Sequence, residues 1–134
     1  MIQRTPLIPG EKLPRAVIIV AKSGPEPAIE SELKSRGITV QWARSIKATS
    51  GLLNSAPIGT LVITELALSD SNWRDLIERV RCTGKFIPVV LLSPTRTADL
   101  WWDALEFGVE DILQAPLSAS VLCEFLVRQF TTEK

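Results

Sequence analysis

Glu65 is the residue best placed for chemistry. It ends the run Thr60-Leu61-Val62-Ile63-Thr64, a short apolar, β-branched stretch of the kind that fills a strand buried on both faces. A carboxylate at the carboxyl end of such a strand, facing a loop, lies where open α/β sheets place their ligands. Few residues are available to help it. The chain has no histidine, which removes the commonest general base and the commonest metal ligand. Cys82 and Cys123 fall in helix-like segments and read as ordinary reduced thiols. No metal-binding constellation is legible, and no serine or cysteine nucleophile stands beside a base. An enzyme is therefore not expected.

The elements that must position Glu65 follow from the hydrophobic pattern. Ala16 to Val20 is a continuous apolar run, read as a central parallel strand that ends in Ala21-Lys22-Ser23-Gly24. Pro25 and Pro27 start a helix, tolerated there because first-turn N–H groups lack partners, and Gly37 stops it. Ile38 to Ala43 alternates like a half-buried strand, and Ile46 to Ala56 is a weaker helix ended by Pro57. After Glu65 come a loop (Leu66 to Asn72) and a helix to about Thr83, with Trp73, Leu76, Ile77 and Val80 at helical spacing. Phe86 to Leu92 is a second buried strand, with Pro88 near its start, closed by Ser93-Pro94. Thr97 caps a helix over Ala98 to Phe107, stopped by Gly108. Val109 to Leu113 is a short strand, and the last helix runs from about Ser118 to Phe130.

Five strands strictly alternating with five helices imply right-handed crossovers and a parallel sheet covered on both sides. The expected fold is a three-layer α/β/α doubly wound sandwich. The expected organisation is an N-terminal arm or linker over 1–14, one domain over 15–130 and a C-terminal tail over 131–134.

At 134 residues the chain is long enough to bury a core, and 46% apolar residues exclude disorder. Fifteen basic and fifteen acidic residues cancel, so charge makes no case for nucleic acid or a membrane surface. No apolar run approaches a bilayer span and no signal-peptide core is visible, so a cytoplasmic location is the expectation.

From Arg15 to Phe130 the chain resembles the receiver domain of bacterial response regulators, the flavodoxin-like phospho-acceptor module of two-component signalling. The resemblance implies a sheet order of 2-1-3-4-5. It places Glu65 at the phospho-acceptor aspartate, Ser93 at the Thr/Ser ending the fourth strand, and Ala104, Gly108, Val109 and Asp111 in the segment around the fifth strand. It also marks departures. The acidic pair that would hold Mg²⁺ is replaced by Ala21 and Lys22, the aromatic switch residue by Ile112, and the lysine of the closing Lys–Pro pair by Ala115. Leu66-Ala67-Leu68-Ser69-Asp70-Ser71-Asn72 keeps the shape of the loop after the acceptor without its proline and glycine.

Scaffold positions match, and the departures fall at the chemistry. Phosphoryl transfer to a carboxylate needs a hard cation held by oxygen ligands and further positive groups. Ala21 has no such oxygen, Lys22 repels a metal, and Glu65 carries its carboxylate one methylene further out. The expectation is a degenerate, or pseudo-, receiver with Mg²⁺ binding and phosphorylation lost, and no other cofactor. Glu65 reads either as a mimic of the phosphorylated aspartate or as a solvated carboxylate at a strand end. A Lys22–Glu65 ion pair filling the site is one expectation, worth roughly 1 kcal/mol before desolvation is counted. Ser93 is free to bond toward Glu65.

The remaining conspicuous residues are tryptophans. Consecutive helical positions point about 100° apart, so Trp101 and Trp102 cannot both face the core. Trp101 fits the inner stripe with Leu105 four residues on, which leaves Trp102 outward. Trp42 and Trp73 read as packing residues. The resemblance places the usual dimer and partner surface on the fourth helix, fifth strand and fifth helix, with Trp102 and Glu106 as its candidate contacts. The leading expectation is a regulatory domain acting through a protein partner or a homodimer, stand-alone or part of a longer regulator. The alternative is a small-ligand module using the strand-end crevice. Ser23-Gly24-Pro25 argues against it, being too short and proline-bound to offer a nest of N–H donors.

Overall fold

The computed structural model describes residues 13–130. Expectations for 1–12 and for the tail over 131–134 lie outside the described residues. The elements run β1 (Ala16–Val20), α1 (Pro27–Ser35), β2 (Thr39–Ala43), α2 (Ile46–Asn54), β3 (Thr60–Glu65), α3 (Trp73–Cys82), β4 (Val89–Ser93), α4 (Ala98–Phe107), β5 (Asp111–Gln114) and α5 (Ala119–Phe130). All strand pairs are parallel, in the order β2-β1-β3-β4-β5. The fold class is the one expected from the sequence pattern, and the strand order is the one the receiver resemblance implies.

Alternate residues of the central strands feed two cores, because successive side chains point to opposite faces. Val17, Ile19, Leu61, Ile63, Val90 and Leu92 meet Leu33 of α1 and Leu122, Phe125 and Leu126 of α5. Ile18, Val20, Val62, Val89 and Leu91 meet Leu53 of α2, Trp73, Leu76, Ile77 and Val80 of α3, and Ala104 of α4. Each fully buried Val, Leu or Ile contributes roughly 1.5–3 kcal/mol. The sheet therefore holds its strand ends rigidly from both sides.

Among the boundaries that differ from the sequence reading, α2 ends at Asn54 rather than Ala56, and four more differ for identifiable reasons. Ile38 is not in β2: Gly37 takes φ +79°, and the N–H groups of Gly37 and Ile38 bond back to the carbonyls of Lys34 and Leu33. Val109 is likewise not in β5, because Gly108 takes φ +84° and Gly108 and Val109 bond back to Leu105 and Ala104. Both are Schellman closures, which use the first apolar residue after the glycine to finish the helix rather than to start the strand. β4 begins at Val89, not Phe86. Pro88 has no N–H to give, its carbonyl accepts from Val62 at 3.0 Å, and Phe86 is 68% exposed. The first helix starts at Pro27 with Glu26 at its N-cap, leaving Pro25 outside.

At the other end of the domain, Leu13 and Pro14, the last two residues of the expected arm, reach the core. Leu13 packs against the α1/α5 cluster and Pro14 is buried, while the Arg15 N–H bonds to the Gly59 carbonyl at 2.9 Å.

Candidate functional site

The register brings the expected site residues to one end of the sheet. Val20 lies beside Thr64, Glu65 beside Leu92, and Ser93 beside Gln114. Ala21-Lys22, Glu65, Ser93 and Ala115 thus end four neighbouring strands. Ala21 is buried, and its N–H bonds to the Ala43 carbonyl at 2.9 Å; the Ala115 N–H bonds to the Ser93 carbonyl at 2.7 Å. The Ala115–Pro116 peptide is cis.

Glu65 is partly buried, and its Oε1 accepts a hydrogen bond from the main-chain N–H of Lys22 at 2.8 Å. Among the described residues no ion pair joins the Lys22 ammonium to Glu65, so the expected side-chain pair is replaced by a main-chain one. The exposed Lys22 side chain stays with water, where a flexible ammonium is well hydrated and gains little from an exposed pair. Ser93 is fully buried and does not reach Glu65 either. Its hydroxyl donates to the Thr95 carbonyl at 2.5 Å and accepts from the Thr95 N–H at 3.1 Å, a local turn that uses its one donor.

The loop after Glu65 is more ordered in its bonding than its sequence suggests. The Leu68 N–H bonds to the Ser71 carbonyl and the Trp73 N–H to that of Leu66, closing the loop on itself. Asp70 then reaches across to α2. Its carboxylate accepts from the N–H groups of Ile46 at 2.9 Å and Lys47 at 3.1 Å, while the Ser45 hydroxyl accepts from Ala48 at 3.0 Å. Three first-turn donors of α2 are thereby satisfied. The Ile46 hydrogen bond, with that from Lys47, holds the Asp70 carboxyl below the usual carboxylate range. Ser69 adds bonds from its N–H and hydroxyl to the Arg44 carbonyl, at 3.3 and 3.0 Å. Sequence reading missed this clasp. Ser69-Asp70-Ser71-Asn72 signals a turn, and nothing local marks a partner 23 or 24 residues away.

Ile112 is buried in β5 against the second core, 2% exposed, at the position read as the switch. On α4 the expected inner stripe is wrong. Trp101 is 39% exposed and Leu105 47%; Ala104 is the buried residue, flanked by partly buried Leu100 and Phe107. With only the small Ala104 buried, both bulky indoles lie toward the flank and outer side of the helix. Trp102 is 64% exposed and shares its face with exposed Glu106, four residues on. Trp73 is buried as expected, and partly buried Trp42 packs against the first core.

Comparison with known proteins agrees with this fold. No family model matches the chain. A probable transcriptional regulatory protein, SilR of Salmonella typhimurium, is 37% identical over 62 residues, 46% of this chain, and the match spans 27% of that protein's length. Among solved structures, a response regulator from Thermotoga maritima superposes with a TM-score of 0.73 at 22% identity, over 90% of this chain and 100% of that one. The non-phosphorylated HemR receiver domain from Leptospira biflexa gives 0.72 at 23% identity, over 90% and 97%. A two-component response regulator from Clostridium difficile gives 0.72 at 21%, over 87% and 94%. The fold is that of the response-regulator receiver domain. No helix among the described residues is long and apolar enough to cross a membrane.

Proposed function

We propose that the chain is a receiver-like regulatory domain of the two-component signalling type that takes no phosphoryl group and acts through protein contacts. The observation that carries this reading is the 2.8 Å bond from the Lys22 N–H to Glu65. At the strand end where the receiver resemblance expects carboxylates around a cation, the chain offers a donor and a lysine. Mg²⁺ takes several oxygen ligands. Ala21 supplies no side-chain oxygen, one Glu65 oxygen is already an acceptor, and the carboxylate of Asp70 is committed to α2. The donor set does not fit Mg²⁺. Ala115, at the position of the closing lysine, cannot offset charge on a transferring phosphoryl group.

The proposed contact surface is the α4–β5–α5 face, with exposed Trp102 and Glu106 as its candidate contacts. A solvent-facing tryptophan at an open helix face is the residue type that most often anchors protein interfaces. The partner is a second copy of this chain or another protein, neither nucleic acid nor membrane, and the setting is the cytoplasm. The domain is non-catalytic.

The test is incubation with acetyl phosphate and Mg²⁺ followed by intact-mass measurement. The unmodified mass is expected throughout. A covalent phosphoryl adduct mapping to Glu65 overturns the reading.

A further inference from the structure

Helix α4 has a thin foothold in the core, since Ala104 is its one buried residue. What it lacks in burial it receives from α3. Trp73 of α3 and Phe107 of α4 meet edge to face, with ring centroids 5.4 Å apart at 70°. The Arg74 guanidinium lies over both rings, 4.6 Å from the Trp73 centroid and 5.8 Å from that of Phe107. From there its Nη2 donates to Asp103 of α4 at 2.7 Å. Two turns further along α3, Arg81 places Nη2 on the Phe107 carbonyl at 2.6 Å and Nη1 on Glu78 at 2.9 Å. The Phe107 carbonyl belongs to the last turn of α4, where the helix has no acceptors' partners of its own and carries partial negative charge.

We infer that Arg74 and Arg81 are positioning residues that clamp α4 at two points, fixing the pose in which Trp101, Trp102 and Leu105 face solvent. Arg74 holds the middle of the helix through Asp103 and also covers the Phe107 ring, and Arg81 holds the carboxyl end through the Phe107 carbonyl. The bonds of the strand-end pocket run elsewhere: Glu65 to Lys22, Ser93 to Thr95, Asp70 to α2. The α4 surface is thereby set by α3 and not by the pocket, so the domain presents one contact surface whether or not anything occupies the strand ends. That consequence for partner binding rests on the function proposed above; the clamp itself does not.

Hydrogen exchange on the full chain tests it without a partner. In the double variant Arg74→Ala/Arg81→Ala, amides of α4 from Trp101 to Phe107 are expected to exchange roughly tenfold faster than in the wild type, with α1 and α5 unchanged. The milder Asp103→Asn, which keeps the ring packing and removes only a surface charge, is expected to give a smaller acceleration confined to α4. Wild-type exchange in α4, or equal acceleration of every element in both variants, overturns the clamp. A phosphoryl adduct on Glu65 would instead remove the functional reading and leave the exchange result standing.

Discussion

The Glu65 carboxylate is held by the main-chain N–H of Lys22, at 2.8 Å, and not by the Lys22 ammonium. A main-chain donor is indifferent to the side chain that carries it. Lys22→Ala is therefore expected to change stability by less than about 0.5 kcal/mol, whereas Glu65→Ala, which removes the acceptor, costs about 1 kcal/mol. Urea denaturation of both variants checks this. A larger loss for Lys22→Ala than for Glu65→Ala would restore the ion pair.

Asp70 gives the domain an acid-sensitive joint. Its carboxyl is held low by the Ile46 and Lys47 N–H groups, so the folded form binds its proton less readily than the unfolded chain. The stability it contributes is complete above the unfolded value, about 3.9, and is lost as the pH falls through the lower folded value. Asp70→Ala is expected to melt below the wild type at pH 7, with the gap closing as the pH is taken below the usual carboxylate range. A gap independent of pH would show that the charged acceptor is not what matters.

Arg74 and Asp103 form a pair in which both side chains are more than a third exposed. Their direct coupling in a double-mutant cycle is expected to be modest, about 0.5–1 kcal/mol. Arg74→Ala alone should cost more than Asp103→Ala, because it also removes the cation from the Trp73 and Phe107 rings. Equal losses would mean that the rings take no part.

Two tryptophans are expected to behave oppositely. Trp73→Ala opens a cavity at a residue 3% exposed and costs roughly 3–5 kcal/mol. Trp102→Ala leaves the melting temperature nearly unchanged and weakens self-association or partner binding by about 2 kcal/mol, measured by sedimentation velocity or pull-down. If Trp102→Ala leaves association intact, the contact surface lies elsewhere.

The fold was legible because burial and pattern agree along the central strands. Runs such as Ala16–Val20 and Thr60–Glu65 are apolar on both sides because the sheet is covered on both sides. Strand starts were misread where local closure competes with pattern: Ile38 and Val109 look like strand residues but finish helices through Gly37 and Gly108. The strand-end residues Ala21, Lys22, Glu65, Ser93 and Ala115 were picked out together by the receiver resemblance, and the parallel register brings them to one end of the sheet. Their bonds were not, since whether Glu65 meets an ammonium or an N–H depends on backbone direction rather than residue type. The Asp70 clasp and the Arg74 and Arg81 clamp were invisible for a related reason. Each joins residues more than twenty positions apart, and a surface charge in the sequence does not name its partner.

The most direct test of the central claim, that the strand-end pocket no longer supports phosphoryl chemistry, is a thermal melt with and without Mg²⁺ plus beryllofluoride. A ligand that binds the folded form raises its melting temperature by mass action. With Ala21 and Lys22 where the receiver resemblance implies a metal-binding acidic pair, and Glu65 bonded to the Lys22 N–H, no shift is expected. A clear upward shift that requires both Mg²⁺ and beryllofluoride would contradict the account and return Glu65 to the role of phospho-acceptor.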